Sequence, residues 1–160
     1  MSRSPCRRSF LTARRRRNRR GAGIVSITTI GRDGKPQTAF FYGGVFRLTL
    51  DPDGVATLVL KGGDFSVCGV KTTVKGKRET QVLLATNKQV VRAVWGTGKG
   101  KFRTKGRYSS ATVRGTLWYH ADRCDGTYTQ VNEGSVSVLD AARKRTLIVR
   151  AGHSVLVRPK

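Results

Sequence analysis

The sequence predicts an all-β fold, in the form of a β-solenoid-like roll or a sandwich of short strands. Short runs of β-branched and aromatic residues recur along the chain, and turns containing Gly, Asp or Pro separate them about every 8 to 12 residues. In segments such as residues 135–140, apolar residues alternate with polar ones, which directs one side of a strand towards a core. The length of 160 residues is enough for one domain with a hydrophobic core.

The first twenty residues differ in composition from the rest of the chain. They contain nine Arg and no acidic residue, without apolar periodicity, so we expect a disordered Arg-rich arm over residues 1–20 and an all-β domain over residues 21–160. Residues 7–12 resemble the core of a twin-arginine export signal, but further Arg residues follow where an apolar region is needed. We therefore expect no complete export signal in the sequence as written, and no apolar run of about 18 residues predicts a transmembrane segment.

The first part of the domain predicts four strand segments with turn chemistry between them, at residues 23–30, 37–50, 55–60 and 65–70. A bend or bulge is expected at Gly43–Gly44, inside the second of these segments. Residues 71–80 predict an exposed loop. Residues 81–95 fit either a short helix or a strand, because their apolar spacing favours a helix and their β-branched content favours a strand.

The second part of the domain continues the pattern of strands and turns, with segments at residues 100–108, 110–122, 127–134, 135–140 and 145–158. Residues 122–126 predict a turn rather than a calcium loop, because their acidic residues lack the order that calcium ligands need. This alternation of strand and turn supports the all-β fold class.

We expect no catalytic residue, metal site or cofactor. The chain lacks a nucleophile elbow, a zinc-protease His-Glu motif and a P-loop spacing. His120 and His153 are the two histidines, and each is expected to be a structural or surface residue. Cys68 and Cys124 are not spaced as a C-x-x-C pair, and the residues alone fit either a disulfide or two separate buried thiols.

The formal net charge of +23 and the pI of about 11.4 indicate an anionic partner, such as nucleic acid, an anionic lipid surface or an acidic wall polymer. Alternate residues of one predicted strand are basic and share a face; this basic stripe comprises Lys99, Lys101, Arg103, Lys105 and Arg107. The stripe fits a polyanion-binding face, or an edge strand whose charges oppose aggregation. For nucleic acid, the arm would bind phosphates, and Tyr108, Trp118 and Tyr119 could stack on bases.

A series of short motifs in the second half resembles the FecR domain family of bacterial envelope proteins. The family has a strand ending in a V-R-G-T turn, then a V-x-x-G-x-V-x-V hairpin and a strand ending in A-G. The matching residues are Val113, Arg114, Gly115, Thr116, Val131, Gly134, Val136, Val138, Ala151 and Gly152. The resemblance implies that these residues are turn and core elements of a β-solenoid-like or roll domain, without a catalytic role.

The upstream stretches at residues 38–48 and 58–68 also look like those of longer FecR-like variants. The resemblance implies a disulfide between Cys68 and Cys124 and a secreted or cell-envelope location. It implies a non-enzymatic module for extracytoplasmic sensing, signalling, binding or adhesion, with an anionic wall polymer, lipid head groups or an envelope protein as partner. The alternative is a structural protein that binds nucleic acid or another polyanion through its Arg-rich arm and basic stripe.

Overall fold

The structure is a computed structural model, and it describes residues 12–17, 23–69 and 87–160. The described residues form one 3-10 helix, Phe65–Cys68, and eleven strands. The strands are β1 (Thr12–Arg17), β2 (Gly23–Ile30), β3 (Pro36–Tyr42), β4 (Val45–Leu50), β5 (Ala56–Lys61), β6 (Val90–Lys105), β7 (Ser109–Arg123), β8 (Gly126–Glu133), β9 (Ser135–Asp140), β10 (Arg145–Arg150) and β11 (Ser154–Val157).

All eleven of these strands belong to one open sheet. The long strands β6 and β7 run antiparallel through its middle, and the other neighbours are antiparallel too, except that β5 lies parallel to β6. The predicted all-β class is therefore confirmed. The solenoid-like roll is not confirmed, because the sheet does not close on itself.

The sheet divides into two halves along its long strands. β6 pairs with β3 over residues 95–99 and with β5 over residues 102–105. β7 likewise pairs with β9 over residues 109–113 and with β8 over residues 117–123. We call the part that contains β1, β2, β3, β8 and β11 the first half-sheet, and the part that contains β4, β5, β9 and β10 the second half-sheet. The level at which β6 and β7 change partners is called the bend.

The two half-sheets enclose one hydrophobic core. Phe41 of β3 is fully buried, and its ring meets the rings of Phe46, Phe102 and Trp118 edge-on, with centroids between 5.7 and 6.1 Å apart. Phe46 and Phe102 belong to the second half-sheet, so Phe41 links the halves directly. Aliphatic side chains from both halves complete the core, among them Ile27, Ala39, Leu58, Leu60, Val94, Val113, Val131, Val136 and Val138.

Gly43 and Gly44 carry the chain from the first half-sheet to the second. They join β3 to β4, two strands that do not pair with each other. The change of chain direction predicted at these two glycines is therefore confirmed. Gly43 has a φ of +77°, a conformation that favours glycine. A Cβ atom on Gly44 would collide with the carbonyl oxygen of Ala93 in β6. A side chain at either position would therefore disturb the passage between the half-sheets.

The prediction of disorder for the whole Arg-rich arm is wrong for residues 12–17. These residues form β1 and pair antiparallel with β2 over six positions, from Thr12 opposite Thr28 to Arg17 opposite Gly23. The edge of β2 offers unpaired backbone groups, and an adjoining segment can satisfy them whatever its side chains. The other residues of the arm lie outside the described residues.

Two further local predictions are corrected by the structure. Residues 65–68 form a 3-10 helix instead of a strand, because the carboxylate of Asp64 accepts hydrogen bonds from the backbone N–H and the hydroxyl of Ser66, at 2.8 and 2.6 Å. The helix alternative for residues 81–95 is wrong for residues 90–95, which belong to β6. Residues 81–86, and the predicted loop over residues 71–80, lie outside the described residues.

Candidate functional site

The basic stripe does not form one uninterrupted row. The register of β6 against β7 shifts between Gly98 and Lys101, so that one extra residue of β6 is accommodated in a β-bulge. The strand ends at Lys105, and Arg107 lies in the connection to β7. β6 also has neighbours on both sides, so the alternative of an exposed edge strand is wrong. The buried positions of Phe102 and Thr104 confirm that the opposite face of the strand points inward.

The bulge is built from two glycines and one partly buried hydrogen bond. Gly98 and Gly100 have φ values of +153° and +121°, which side chains disfavour. The side-chain oxygen of Gln37, in the neighbouring strand β3, accepts a hydrogen bond of 2.7 Å from the backbone N–H of Lys101. This bond satisfies the donor that the bulge leaves out of the ladder. It also fixes Lys101 directly opposite Arg114 of β7.

Two of the five stripe residues, Arg103 and Arg107, contact acidic or aromatic side chains of the protein itself. The guanidinium of Arg103 forms ion pairs with the carboxylates of Asp51 and Asp53, the second at 3.0 Å. The guanidinium of Arg107 lies over the Phe65 ring, 4.8 Å from its centroid. These cations are therefore largely committed to contacts within the fold. Lys99, Lys101 and Lys105 have no ion-pair partner among the described residues.

A solvent-open groove of about 1180 Å³ lies beside the bulge. It is lined by the turn between β2 and β3, by the turn between β4 and β5, and by parts of β6 and β7. Its cationic lining residues are Arg32, Lys101 and Arg114, and its acidic ones are Asp33 and Asp53. We call this feature the basic groove. Arg32 was not predicted as a site residue, and Arg114 was named only as part of the FecR-like motif. Gly98 and Gly100, two glycines in one strand segment, are the sequence signal that could have indicated the bulge.

A second group of polar residues is buried near the C-terminal end of β7. His120 is fully buried, and its Nδ1 lies 2.9 Å from the hydroxyl of Thr129. Asp122 accepts hydrogen bonds from the hydroxyl of Thr127 at 2.6 Å and from the backbone N–H of Arg107 at 2.7 Å, and it pairs with Arg92. The carboxylate of Asp122 is thus saturated by other donors and does not orient the imidazole. The Nε2 of His120, in contrast, is buried without a hydrogen-bond partner among the described residues.

Burial lowers the pKa of His120 to about 4, although the charge of Asp122 and the carbonyl of Ser109 act in the opposite direction. The unfolded chain takes up this proton near pH 6.5, so the free energy of unfolding should fall by up to about 3 kcal/mol as the pH is lowered from about 6.5 to about 4. Urea unfolding across that pH range measures the effect. His120→Gln should flatten the profile, whereas His153→Gln, at the exposed histidine, should leave it unchanged. A profile that stays equally steep in His120→Gln would contradict this assignment.

A disulfide joins the 3-10 helix to the turn between β7 and β8. Cys68 and Cys124 are bonded, with their Cα atoms 5.1 Å apart, so the pairing that the FecR resemblance implies is confirmed. The aromatic ring of Phe65, in the same helix, makes cation–π contacts with the guanidinium groups of Arg92 and Arg107, at 5.1 and 4.8 Å from its centroid. A covalent bond and two cation–π contacts therefore hold the 3-10 helix beside the C-terminal end of β7, next to the buried polar group.

The residues of the FecR-like pattern lie at the bend and in the core. Val113, Thr116, Val136 and Val138 are buried. Residues 113–116 lie inside β7, so the expected strand-ending turn is wrong, and Gly115, with a φ of +58°, marks the point where β7 changes partner.

The expected V-x-x-G-x-V-x-V hairpin is also wrong, because residues 131–138 run from β8 into β9, and both strands pair with β7. Gly134 joins these two strands, and its carbonyl accepts a hydrogen bond of 2.9 Å from the backbone N–H of Ala151. Gly152 then donates to the carbonyl of Val131 at 2.8 Å. These bonds connect β8 and β9 to the turn between β10 and β11 at the level of the bend.

The aromatic residues proposed to stack on bases are placed differently from one another. Trp118 is fully buried in the core, so that part of the prediction is wrong. Tyr119 lies on the outer side of the first half-sheet, in a row of rings that also contains Tyr42, Trp95 and Tyr128. The Trp95 and Tyr119 rings are 4.8 Å apart between centroids. Cross-strand ring contacts of this kind stabilise a sheet. The row was not predicted from the sequence.

No protein-family model, curated protein or solved structure matches the chain. The FecR resemblance therefore stays a prediction. In the described residues, no cluster of His, Cys, Asp and Glu has the arrangement of a metal site. The same residues include no helix with the length and apolar character that crossing a membrane requires.

Proposed function

We propose that the chain is a non-enzymatic, FecR-like binding module that works outside the cytoplasm, at the cell envelope or after secretion. The observation that carries this proposal is the Cys68–Cys124 disulfide. Disulfides between structural cysteines form and persist in oxidising compartments and are rare where thiols are kept reduced. The buried polar group around His120 and Asp122 favours a binding role over catalysis, because both side chains are closed off from solvent, with exposed fractions of 0% and 1%.

A second candidate is a structural protein that binds nucleic acid through its basic residues. The observation that favours it is β1, which attaches part of the Arg-rich arm to the edge of the sheet. Arg14 is exposed at this edge, and it lies opposite Ser26 of β2. Phosphate binding by such residues would be independent of base sequence and would weaken strongly with salt.

The thiol state of the protein from its native cells distinguishes the two candidates. We expect alkylation before reduction to leave Cys68 and Cys124 unmodified, and alkylation after reduction to label both, as read from peptide masses. The cell-envelope or secreted fraction should contain this oxidised form. If both cysteines are alkylated without reduction and the protein is found with nucleic acid, the extracytoplasmic proposal fails and the second candidate replaces it.

A further inference from the structure

We propose that the basic groove binds a linear anionic polymer, and that Arg32, Lys101 and Arg114 contact its phosphate or carboxylate oxygens. The inference rests on the proposed binding role and adds the site and the chemistry of the ligand. The binding measurement that tests it does not depend on where the protein is located.

The first argument is the unpaired positive charge in the basic groove. Lys101 and Arg114 lie directly opposite each other across β6 and β7, and neither has an ion-pair partner among the described residues. Like charges in directly opposed positions destabilise a sheet. Arg32, in the turn between β2 and β3, adds a third cation to the groove, and it too has no ion-pair partner among the described residues. A bound anion would remove the repulsion that the free protein has to tolerate.

The second argument is that the acidic residues of the basic groove are already engaged. Asp53 pairs with Arg103 at 3.0 Å and accepts a hydrogen bond of 3.2 Å from the backbone N–H of Val55. Asp33 accepts a hydrogen bond of 3.1 Å from the backbone N–H of Lys35. Both carboxylates therefore shape the turns that carry them, although the charge of Lys101 also acts on Asp53. With three cations against two carboxylates, the lining keeps an excess of positive charge to offer to a ligand.

The third argument is that the two turns lining the basic groove are built alike and held in place. In the first, the backbone N–H of Gly31 donates to the carbonyl of Lys35 at 2.8 Å; in the second, Asp51 donates to Val55 at 3.0 Å. Gly34 and Gly54 occupy equivalent positions, with φ values of +77° and +76°. Such hydrogen-bonded turns lose little conformational freedom when a ligand binds between them.

The size of the basic groove indicates the kind of ligand. A volume of about 1180 Å³ is far more than one inorganic anion fills, and the groove is open to solvent. An open groove of this size accommodates a segment of a linear polymer that continues beyond the groove at both ends. The planar guanidinium groups of Arg32 and Arg114 match the paired oxygens of a phosphate or a carboxylate, whereas Lys101 contributes a compact charge. Both chemistries occur in extracellular anionic polymers, so the test includes one of each.

The test compares two variants that lose the same residue types. The groove variant carries Arg32→Gln, Lys101→Gln and Arg114→Gln. The control variant carries Arg47→Gln, Lys61→Gln and Arg150→Gln at exposed positions outside the basic groove. Both have the same net charge and the same Arg-rich arm, so general attraction to polyanions is matched. The probes are fluorescently labelled poly(glycerol phosphate), polygalacturonate and a single-stranded oligonucleotide of similar charge number, and anisotropy is followed at several salt concentrations.

We expect the groove variant to bind poly(glycerol phosphate) or polygalacturonate about tenfold or more weakly than the parent. The slope of log K against log salt concentration should become less steep by about two. The control variant should lose about threefold or less. The probe bound more tightly identifies phosphate or carboxylate as the natural group. The melting temperature of the groove variant should be no lower than that of the parent, because the repulsion between Lys101 and Arg114 is relieved. If the triple variant does not fold, the single variant Arg32→Gln tests the groove.

Equal losses in the groove and control variants would overturn the inference while leaving a binding role for the basic surface. No binding of any probe by the parent protein would also overturn the inference, whereas the proposed binding role would then require a protein as partner. An oligonucleotide affinity that exceeds both other probes tenfold would replace the extracellular polymer by nucleic acid as ligand. The thiol measurement on native protein tests the location separately.

Discussion

Replacing Cys68 and Cys124 by Ser is expected to lower the free energy of unfolding by about 4 kcal/mol. The bond closes a loop of 56 residues in sequence separation, and removing it restores the conformational entropy of that loop to the unfolded chain. Urea unfolding of the oxidised parent and of the double variant measures the difference. The variants should be made in a Cys6→Ser background, so that the third thiol cannot exchange with the disulfide.

The same change should also release the 3-10 helix in the folded protein. Without the bond, the helix is held over the end of β7 by the contacts of Phe65 with Arg92 and Arg107, and cation–π contacts at partly exposed positions contribute only about 0.5 to 1 kcal/mol each. Amide hydrogen exchange at Ser66 and Gly69 should become faster in the double variant. The reduced parent should behave in the same way. An unchanged urea midpoint after removal of the bond would show that the disulfide does not contribute to stability.

Most of the pattern of strands could be predicted from local sequence, because most strands have their own signal. β1 is an exception, since the arm has no apolar periodicity. Alternation in β9 and the turn chemistry before β3 and between β4 and β5 are visible within a few residues, and the structure has these elements where they were expected. The 3-10 helix was missed because the apolar residues Phe65 and Val67 alternate as in a strand. Its capping by Asp64 and its disulfide override that local pattern.

The basic groove could not be predicted in the same way, because its residues come from four separate parts of the chain. The stripe included Lys101, but alternating spacing assumes a regular strand, and only Gly98 and Gly100 hint at the extra residue of the bulge. Whether a cation is paired also depends on tertiary contacts. Asp51 and Asp53 neutralise Arg103 across about fifty residues, and no local pattern reveals that pairing. Arg114 became a candidate only once β6 and β7 were aligned.

Phe41→Ala is expected to lower the free energy of unfolding by about 3 to 5 kcal/mol, the usual range for removing a buried aromatic side chain. Phe41 is fully buried, and it contacts rings from both half-sheets. The loss includes the transfer of its apolar surface to water, the cavity left between the halves, and three edge-to-face ring contacts. Urea unfolding monitored by Trp fluorescence is suited to this measurement, because Trp118 is one of the contacting rings.

Phe40→Ala is the matched control, since Phe40 is the preceding residue of the same strand and its side chain is 45% exposed on the opposite face. It should change the free energy of unfolding by no more than about 1 kcal/mol. The comparison also bears on the basic groove, because one of its turns belongs to each half-sheet and their spacing depends on the core that Phe41 joins. Phe41→Ala should therefore weaken binding of the preferred anionic polymer although it removes no charge, and Phe40→Ala should not. Equal stability losses in the two variants would mean that the half-sheets are not held together through Phe41.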